Sequence, residues 1–224
     1  VVSTLGLVSI NEAASALVTG VDYNTDGDVS DQVAFRVDMS TPTAVLRNLG
    51  LAVEAFSLVR TDAILMVSEA AQFQSDRNGD TDTQDVVPAY GDLSVPSPAF
   101  RNLGVATFGS TEYRVDPNTI RIAAVLPEQP LTAYSDLNAD GDSDDSAYYW
   151  FDLDTSILPA SVLPPTPYLI GMGGFSRRRP IRVDDDTFLF VTSEALASED
   201  LNGDGDTNDS VLRIVRRAPP QSGE

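Results

Sequence analysis

The stretch that decides the fold is Asp200-Leu-Asn-Gly-Asp-Gly-Asp-Thr-Asn-Asp209, set between the apolar segments Phe188-Leu-Phe-Val-Thr-Ser-Glu194 and Val211-Leu-Arg-Ile-Val215. Its pattern, D-x-N-x-D-x-D-x-x-D, recurs at Asp22–Asp31, Asp76–Asp85 and Asp136–Asp145. The first aspartates lie 54, 60 and 64 residues apart (22 to 76, 76 to 136, 136 to 200). Self-similarity at such a period is the mark of a repeat architecture.

The flanks repeat as well. An apolar run ending in Glu precedes three loops: Ile64–Glu69, Ile120–Glu128 and Phe188–Glu194, with a looser version at Leu7–Glu12. A second run follows each loop: Val33–Val37, Val86–Tyr90, Ala147–Phe151 and Val211–Val215. These runs are rich in β-branched and aromatic residues, several alternate with period two, and none shows helical spacing. Each aspartate loop therefore joins two strands of a predicted hairpin. Two more strand candidates lie between loops. Arg47-Asn-Leu-Gly-Leu-Ala52 matches Arg101-Asn-Leu-Gly-Val-Ala106, and Phe56–Arg60 parallels Glu112–Val115. Short polar turns follow, at Thr61-Asp62, Asp116–Thr119 and Asp184–Asp186. The third repeat carries a Pro-rich stretch (Pro159, Pro164, Pro165, Pro167) that reads as an irregular loop.

The expectation is an all-β, β-propeller-like array of about four four-stranded antiparallel units. It forms a single β-repeat domain over 1–224, with repeats near 1–60, 61–115, 116–183 and 184–224. About fourteen strands are countable where a closed four-unit array needs sixteen. An incomplete propeller, a longer parent chain and a partner subunit would each account for the difference. The chain begins Val1-Val2, with no initiator Met and no signal peptide, and reads as processed or cut from something longer.

Composition narrows the chemistry. Cys and His are absent, which argues against zinc sites and Ser-His-Asp or Cys-His catalysis within this chain, and all 14 bases are Arg. The formal charge is −20, which repels nucleic acid and anionic membranes. No apolar run approaches the roughly 18 residues of a membrane span. Sixteen of the 34 acids sit at the four shared Asp positions of the four loops.

Loop positions 1, 3, 5, 7 and 10 are the candidate metal ligands: Asp22, Asn24, Asp26, Asp28 and Asp31; Asp76, Asn78, Asp80, Asp82 and Asp85; Asp136, Asn138, Asp140, Asp142 and Asp145; Asp200, Asn202, Asp204, Asp206 and Asp209. Calcium takes six to eight oxygens in flexible geometry, and alternate side chains of a tight loop converge on one point. Glycine at position 6 permits the turn, as Gly27, Gly141 and Gly205. Thr81 stands there in the second loop, so that site is expected to be the most distorted, and Asp204→Ala to cost more stability than Asp80→Ala. Four crowded carboxylates repel by a few kcal/mol per close pair at an effective dielectric near 20, so a divalent ion offsets the crowding. One calcium ion per loop, about four in all, would carry −20 to −12. Glu69, Glu128 and Glu194 precede their loops by seven, eight and six residues, and this uneven spacing favours strand-end residues over ligands. Trp150, Tyr148 and Tyr149 read as sheet residues, and Arg177–Arg179 as a solvated basic loop.

The loop resembles the EF-hand or dockerin loop, the thrombospondin type 3 repeat and the FG-GAP blades of integrin-α-type propellers. It departs from the EF-hand at position 12, where Val33, Val87, Ala147 and Val211 replace a bidentate Glu. FG-GAP blades fit better, because their calcium loop also joins two strands, although their last Asp comes one residue earlier than here. The Val-Ser-Glu-Ala phrase before the aspartate loop is also similar to secreted bacterial repeat proteins. The resemblance implies a calcium-binding propeller-type architecture and no activity. The leading expectation is a non-enzymatic extracellular or cell-surface structural or adhesive protein, a subunit of a surface or filament assembly. It would associate with itself or another protein subunit. A propeller lectin binding glycan or protein is the alternative, and a carboxylate- or metal-dependent hydrolase ranks below it.

Overall fold

A computed structural model describes residues 4–14, 21–104, 106–107, 112–115, 119–127, 146–154, 168–173, 181–182 and 187–216. The third aspartate loop, Glu128, the Pro-rich stretch, Arg177–Arg179 and Asp184–Asp186 lie outside these residues. The chain divides into two compact units, Val1–Gly109 and Ser110–Glu224.

The first unit holds a six-stranded antiparallel meander: β1 (Leu5–Asn11), β2 (Gln32–Asp38), β3 (Val45–Val59), β4 (Asp62–Ser68), β5 (Val86–Asp92) and β6 (Arg101–Asn102). The second unit holds two sheets. One is β10 (Tyr168–Gly173), β9 (Ser146–Asp154), β8 (Thr119–Pro127) and β7 (Glu112–Val115), in that spatial order; the other is β11 (Ile181–Arg182), β12 (Thr187–Ser193) and β13 (Ser210–Arg216). A four-residue helical turn, Glu194–Ala197, follows β12. No helix among the described residues is long and apolar enough to cross a membrane.

The all-β antiparallel expectation is met, and each described aspartate loop joins the two strands of a hairpin. The described sheets are open rather than closed. One predicted boundary moves. Arg47–Ala52 and Phe56–Arg60 read as separate strands, but β3 runs through both. Its first half pairs with β2 (Val33↔Ala52 to Asp38↔Val45), and its second half pairs with β4 (Val53↔Val67 to Val59↔Asp62). Register shifts at Val33/Phe35 and Val53/Ala55 absorb the change of partner, because a bulge bends a strand without ending it. The hydrogen-bonded groups are thus offset by one strand from the sequence repeats.

Alternation along the strands assigns the faces. Ser9 opposes Ala34 and Leu7 opposes Arg36, so these four share one face of β1–β2; Val8 and Phe35 share the other. In the second repeat Leu65 opposes Ala89 and Val67 opposes Val87. The core cluster joins Ala34 to Val53, Leu65, Val67 and Ala89, with Leu7, Leu49, Leu51, Phe56 and Phe100 packed around it. The Leu7/Ala34 face of the first repeat therefore meets the Leu65/Ala89 face of the second. Arg36 strengthens this junction: its Nε donates to the Leu93 carbonyl at 2.8 Å, and its guanidinium pairs with Asp38 at 3.2 Å. β4 is buried on both faces from Ala63 to Val67, which explains its unbroken apolar sequence.

Gly91 is required for the packing of Phe100, since a Cβ there would lie 2.7 Å from the ring. Gly91→Ala is expected to destabilise the protein by about 1–3 kcal/mol through overpacking. Gly6→Ala, whose added Cβ would sit at an ordinary 3.7 Å from Val37, should stay within about 0.5 kcal/mol of the parent. Urea denaturation of the two variants in calcium checks the contrast.

Candidate metal centre

The three described loops share one construction, which starts from a buried glutamate. Glu12, Glu69 and Glu194 stand at or just past the end of the leading strand and are fully buried. Their backbone N–H groups donate to the carbonyls of Asp31, Asp85 and Asp209 at 2.9 Å, which fixes the hairpin register. The same aspartates return the bond: their N–H groups donate to Glu Oε2 at 3.3 Å in all three loops. Glu Oε1 reaches forward. It accepts from Tyr23 N–H in the first loop and Arg77 N–H in the second. In the fourth it accepts from Leu201 at 2.8 Å and Asn202 at 3.0 Å.

Within each loop the aspartates fold the backbone around themselves. At position 1, Asp22, Asp76 and Asp200 each accept two N–H groups. Oδ1 takes that of position 4 at 2.5–2.6 Å, and Oδ2 takes that of position 6 at 2.9–3.1 Å. Asp26, Asp80 and Asp204 accept from position 7 at 3.0–3.1 Å. Asp28, Asp82 and Asp206 accept from position 9 at 2.8–2.9 Å. Positions 4 and 6 have positive φ: Thr25 at 65° and Gly27 at 103°, Gly79 at 85° and Thr81 at 82°, Gly203 at 79° and Gly205 at 99°. Thr81 thus takes the glycine's conformation and makes the glycine's hydrogen bond. β-Branched residues are strained at such angles, so the first loop at Thr25 and the second at Thr81 both hold strain while keeping the common shape.

Three carboxylate trios come together: Glu12, Asp28 and Asp31; Glu69, Asp82 and Asp85; Glu194, Asp206 and Asp209. In each trio one oxygen per residue lies within 4.8 Å of the others, close enough to hold a metal ion. Positions 7 and 10 of the expected ligand set therefore converge. Positions 1 and 5 accept backbone N–H groups, and position 3 supplies an amide. The trio is completed by a glutamate whose uneven spacing favours a plain strand-end role. That spacing misleads because turns of different length separate each Glu from its loop; the recurrent Glu-Ala pair at 12–13, 69–70 and 194–195 is the informative signal.

Asn24 tests the fit. It is 4% exposed, and its Nδ2 donates to Asp31 Oδ2 at 3.1 Å and to the Ala71 carbonyl at 2.8 Å, yet its Oδ1 has no partner. A buried unsatisfied acceptor costs about 1–3 kcal/mol, and a cation beside Asp31 would satisfy it. In the other two loops this oxygen accepts from position 5 (Asn78 from Asp80 at 3.2 Å, Asn202 from Asp204 at 2.9 Å). There Nδ2 bridges positions 5 and 10: Asp80 and Asp85 at 3.0 and 2.8 Å, Asp204 and Asp209 at 3.2 and 3.0 Å.

The Arg-Asn-Leu-Gly motif braces the loops from outside. Asn48 donates to the Tyr23 carbonyl at 2.6 Å, and Asn102 donates to the Arg77 carbonyl; both acceptors are loop position 2. Each Asn also accepts from its own glycine, Gly50 at 2.8 Å and Gly104 at 2.9 Å. Those glycines sit at φ 68° and 70°. In the first repeat the motif lies within β3, where the pairing with β2 is irregular between Asn48 and Ala52, and its Asn holds the neighbouring loop.

Burial and neighbouring carboxylates raise the carboxyls at position 10. Burial pushes Asp31 up to about 6 and Asp85 up to about 7, and neighbouring loop aspartates add to both shifts. At Asp209 the Asn202 amide pulls down, but Asp204 and Asp206 push up more. Burial also raises Glu69. These groups favour the proton, or another cation, in the folded state.

Burial argues for the opposite order to the one expected from Thr81. Asp80 is buried and Asp204 exposed, although both make the same bonds. Removing the buried partner strands more polar atoms. Asp80→Ala should therefore cost more stability than Asp204→Ala, which parallel urea melts of the two variants would read.

The pH response follows from the raised carboxyls. Asp31 and Asp85 bind protons more tightly folded than at their ordinary value of 3.8. Their contribution to stability is whole below that value and is lost as pH rises through about 6 and about 7. In chelator, the part of the stability curve due to these groups should fall across that window. A divalent ion should flatten the fall and displace protons on binding near pH 6, seen by calorimetry in two buffers of different ionisation enthalpy. No protein-family model matches the chain, and no curated protein or solved structure matches it.

Proposed function

We propose that this chain is a calcium-binding extracellular structural or adhesive protein, a subunit of a surface or filament assembly, with one calcium ion in each aspartate loop. The observation that carries this reading is the trio of one buried glutamate and two loop aspartates, built alike in three hairpins. An all-oxygen donor set without His or Cys favours hard cations. Between the two common ones, a flexible loop rich in carboxylates and an amide suits calcium; magnesium wants octahedral order and keeps most of its water.

The chain's own residues would do the binding. The glutamate, position 7 and position 10 would contact the ion, Asn24 Oδ1 would join them in the first loop, and positions 1 and 5 would hold the backbone in shape. The ion would supply charge neutralisation. Weak Asp-rich sites suit the calcium levels found outside cells, which supports the extracellular placement. Repetition of the trio as part of the hairpin framework supports a structural role over catalysis. The one-hairpin-per-loop order also supports a propeller-type array, with β3 serving two neighbouring groups.

The test is thermal melting in calcium, in magnesium and in chelator, with Glu69→Gln and Glu194→Gln alongside. Each filled site should add roughly 2.7 kcal/mol at a free ion concentration about a hundredfold above Kd, or about 5–10 °C for a chain this long. Each Glu→Gln variant should lose part of the calcium rise. Equal melting temperatures in calcium and chelator would overturn the reading.

A further inference from the structure

We infer that two faces of this chain are the halves of a head-to-tail contact between copies: the Leu212/Ile214 face of β13 on one copy packs on the Val8/Met39 face of β1–β2 on the next. This deepens the assembly part of the proposed function and rests on that reading.

The template is inside the molecule. The first and second repeats meet through Ala34 and Arg36 on one side and Leu65 and Leu93 on the other: Ala34 and Leu65 share a core cluster, and Arg36 bonds the Leu93 carbonyl. All four residues are buried. The common hairpin register gives their equivalents in other repeats, since Asp31, Asp85 and Asp209 pair with Glu12, Glu69 and Glu194 in the same way. Counting from those aspartates, Leu212 corresponds to Ala34 and Ile214 to Arg36. On the opposite side, Val8 corresponds to Leu65, because Val8 opposes Phe35 as Leu65 opposes Ala89, and Met39 corresponds to Leu93.

The equivalents are uncovered. Leu212 is 63% exposed and Ile214 69%, while Val8 is 36% and Met39 53%. Leu46, which opposes Val37 on the Val8 face, is exposed too. An exposed Leu or Ile by itself needs no explanation. Here each stands at a position that the same fold buries elsewhere, and the two faces match the two sides of one existing junction. A second copy supplies the complement by construction. Such a contact uses different patches on the two partners, so it is heterologous and propagates or closes into a ring.

The experiment is sedimentation of the full chain in calcium over a concentration series. The wild type is expected to self-associate. Leu212→Arg with Ile214→Arg, and separately Val8→Arg with Met39→Arg, should each weaken association by about a hundredfold, roughly tenfold for each apolar side chain replaced. An equimolar mixture of the two double variants should form a dimer and stop there, because one intact face remains on each. A wild type that stays monomeric, a blocked variant that still self-associates, or a mixture that stays monomeric overturns the inference. Melting each sample in calcium and in chelator separates the two ideas: a calcium-dependent rise with no association leaves the metal reading standing and removes this one. Should an arginine pair not fold, Leu212→Ser with Ile214→Thr and Val8→Ser with Met39→Gln replace it under the same criteria.

Discussion

The constraint on which the rest depends is a carboxylate with no access to water. Glu12, Glu69 and Glu194 are buried at hairpin bases, where an isolated charge costs several kcal/mol. Each is tolerated because backbone N–H groups from the far side of the loop converge on it. That satisfaction is mutual. The glutamate needs the loop folded, and the loop's tenth residue needs the glutamate as its acceptor. The consequence is a carboxylate held beside two aspartates that would otherwise turn to solvent. Folding thus assembles a concentration of negative charge out of water: burial raises Asp31, Asp85 and Glu69, and neighbouring loop aspartates add to each shift.

Local and long-range order are joined at the same places. Asn48 and Asn102 tie the third strand of a repeat to its loop. Asn24 ties the first loop to Ala71, two residues past the second glutamate. Gln72, next along, accepts the Ala52 N–H through its side chain at 2.7 Å, at the point where β3 changes partner. Loop geometry and inter-repeat packing are therefore one hydrogen-bonded framework in the first unit, and distortion at one loop is felt by the neighbouring sheet.

Much of this is legible in the residues. Period-two apolar runs on both sides of D-x-N-x-D-x-D-x-x-D are enough for antiparallel hairpins, because no helix fits that spacing. The glycine at position 6 correctly marks the left-handed turn. Other features are hidden for physical reasons. β3 looks like two strands because Gly50 and the bulge near Val53 interrupt the alternation, while pairing continues on different neighbours. The glutamates are easily underrated because linear spacing measures the connector, whereas the hairpin register sets the distance in space. Thr81 suggests distortion, but the two hydrogen bonds to Asp76 hold the second loop in the common shape against its unfavourable φ.

The division of labour within the loop bears on what kind of site it can be. The carboxylates at positions 1 and 5 are engaged by the loop's own N–H groups, and the glutamate is engaged by N–H groups from the opposite strand. In each trio the glutamate is buried at the hairpin base while the aspartate at position 7 stays exposed, so the donors are fixed from the protein side and face solvent on the other. On the proposed reading the ion's work is internal: it lets a hairpin keep three acids together, and it lets a chain with 34 acids and 14 bases stack one hairpin against the next. On the same reading, long-range repulsion between copies of so acidic a chain would fall with each ion bound, so the charge term that closes the loops would also lower the barrier to bringing apolar faces such as that of Leu212 and Ile214 against a neighbour.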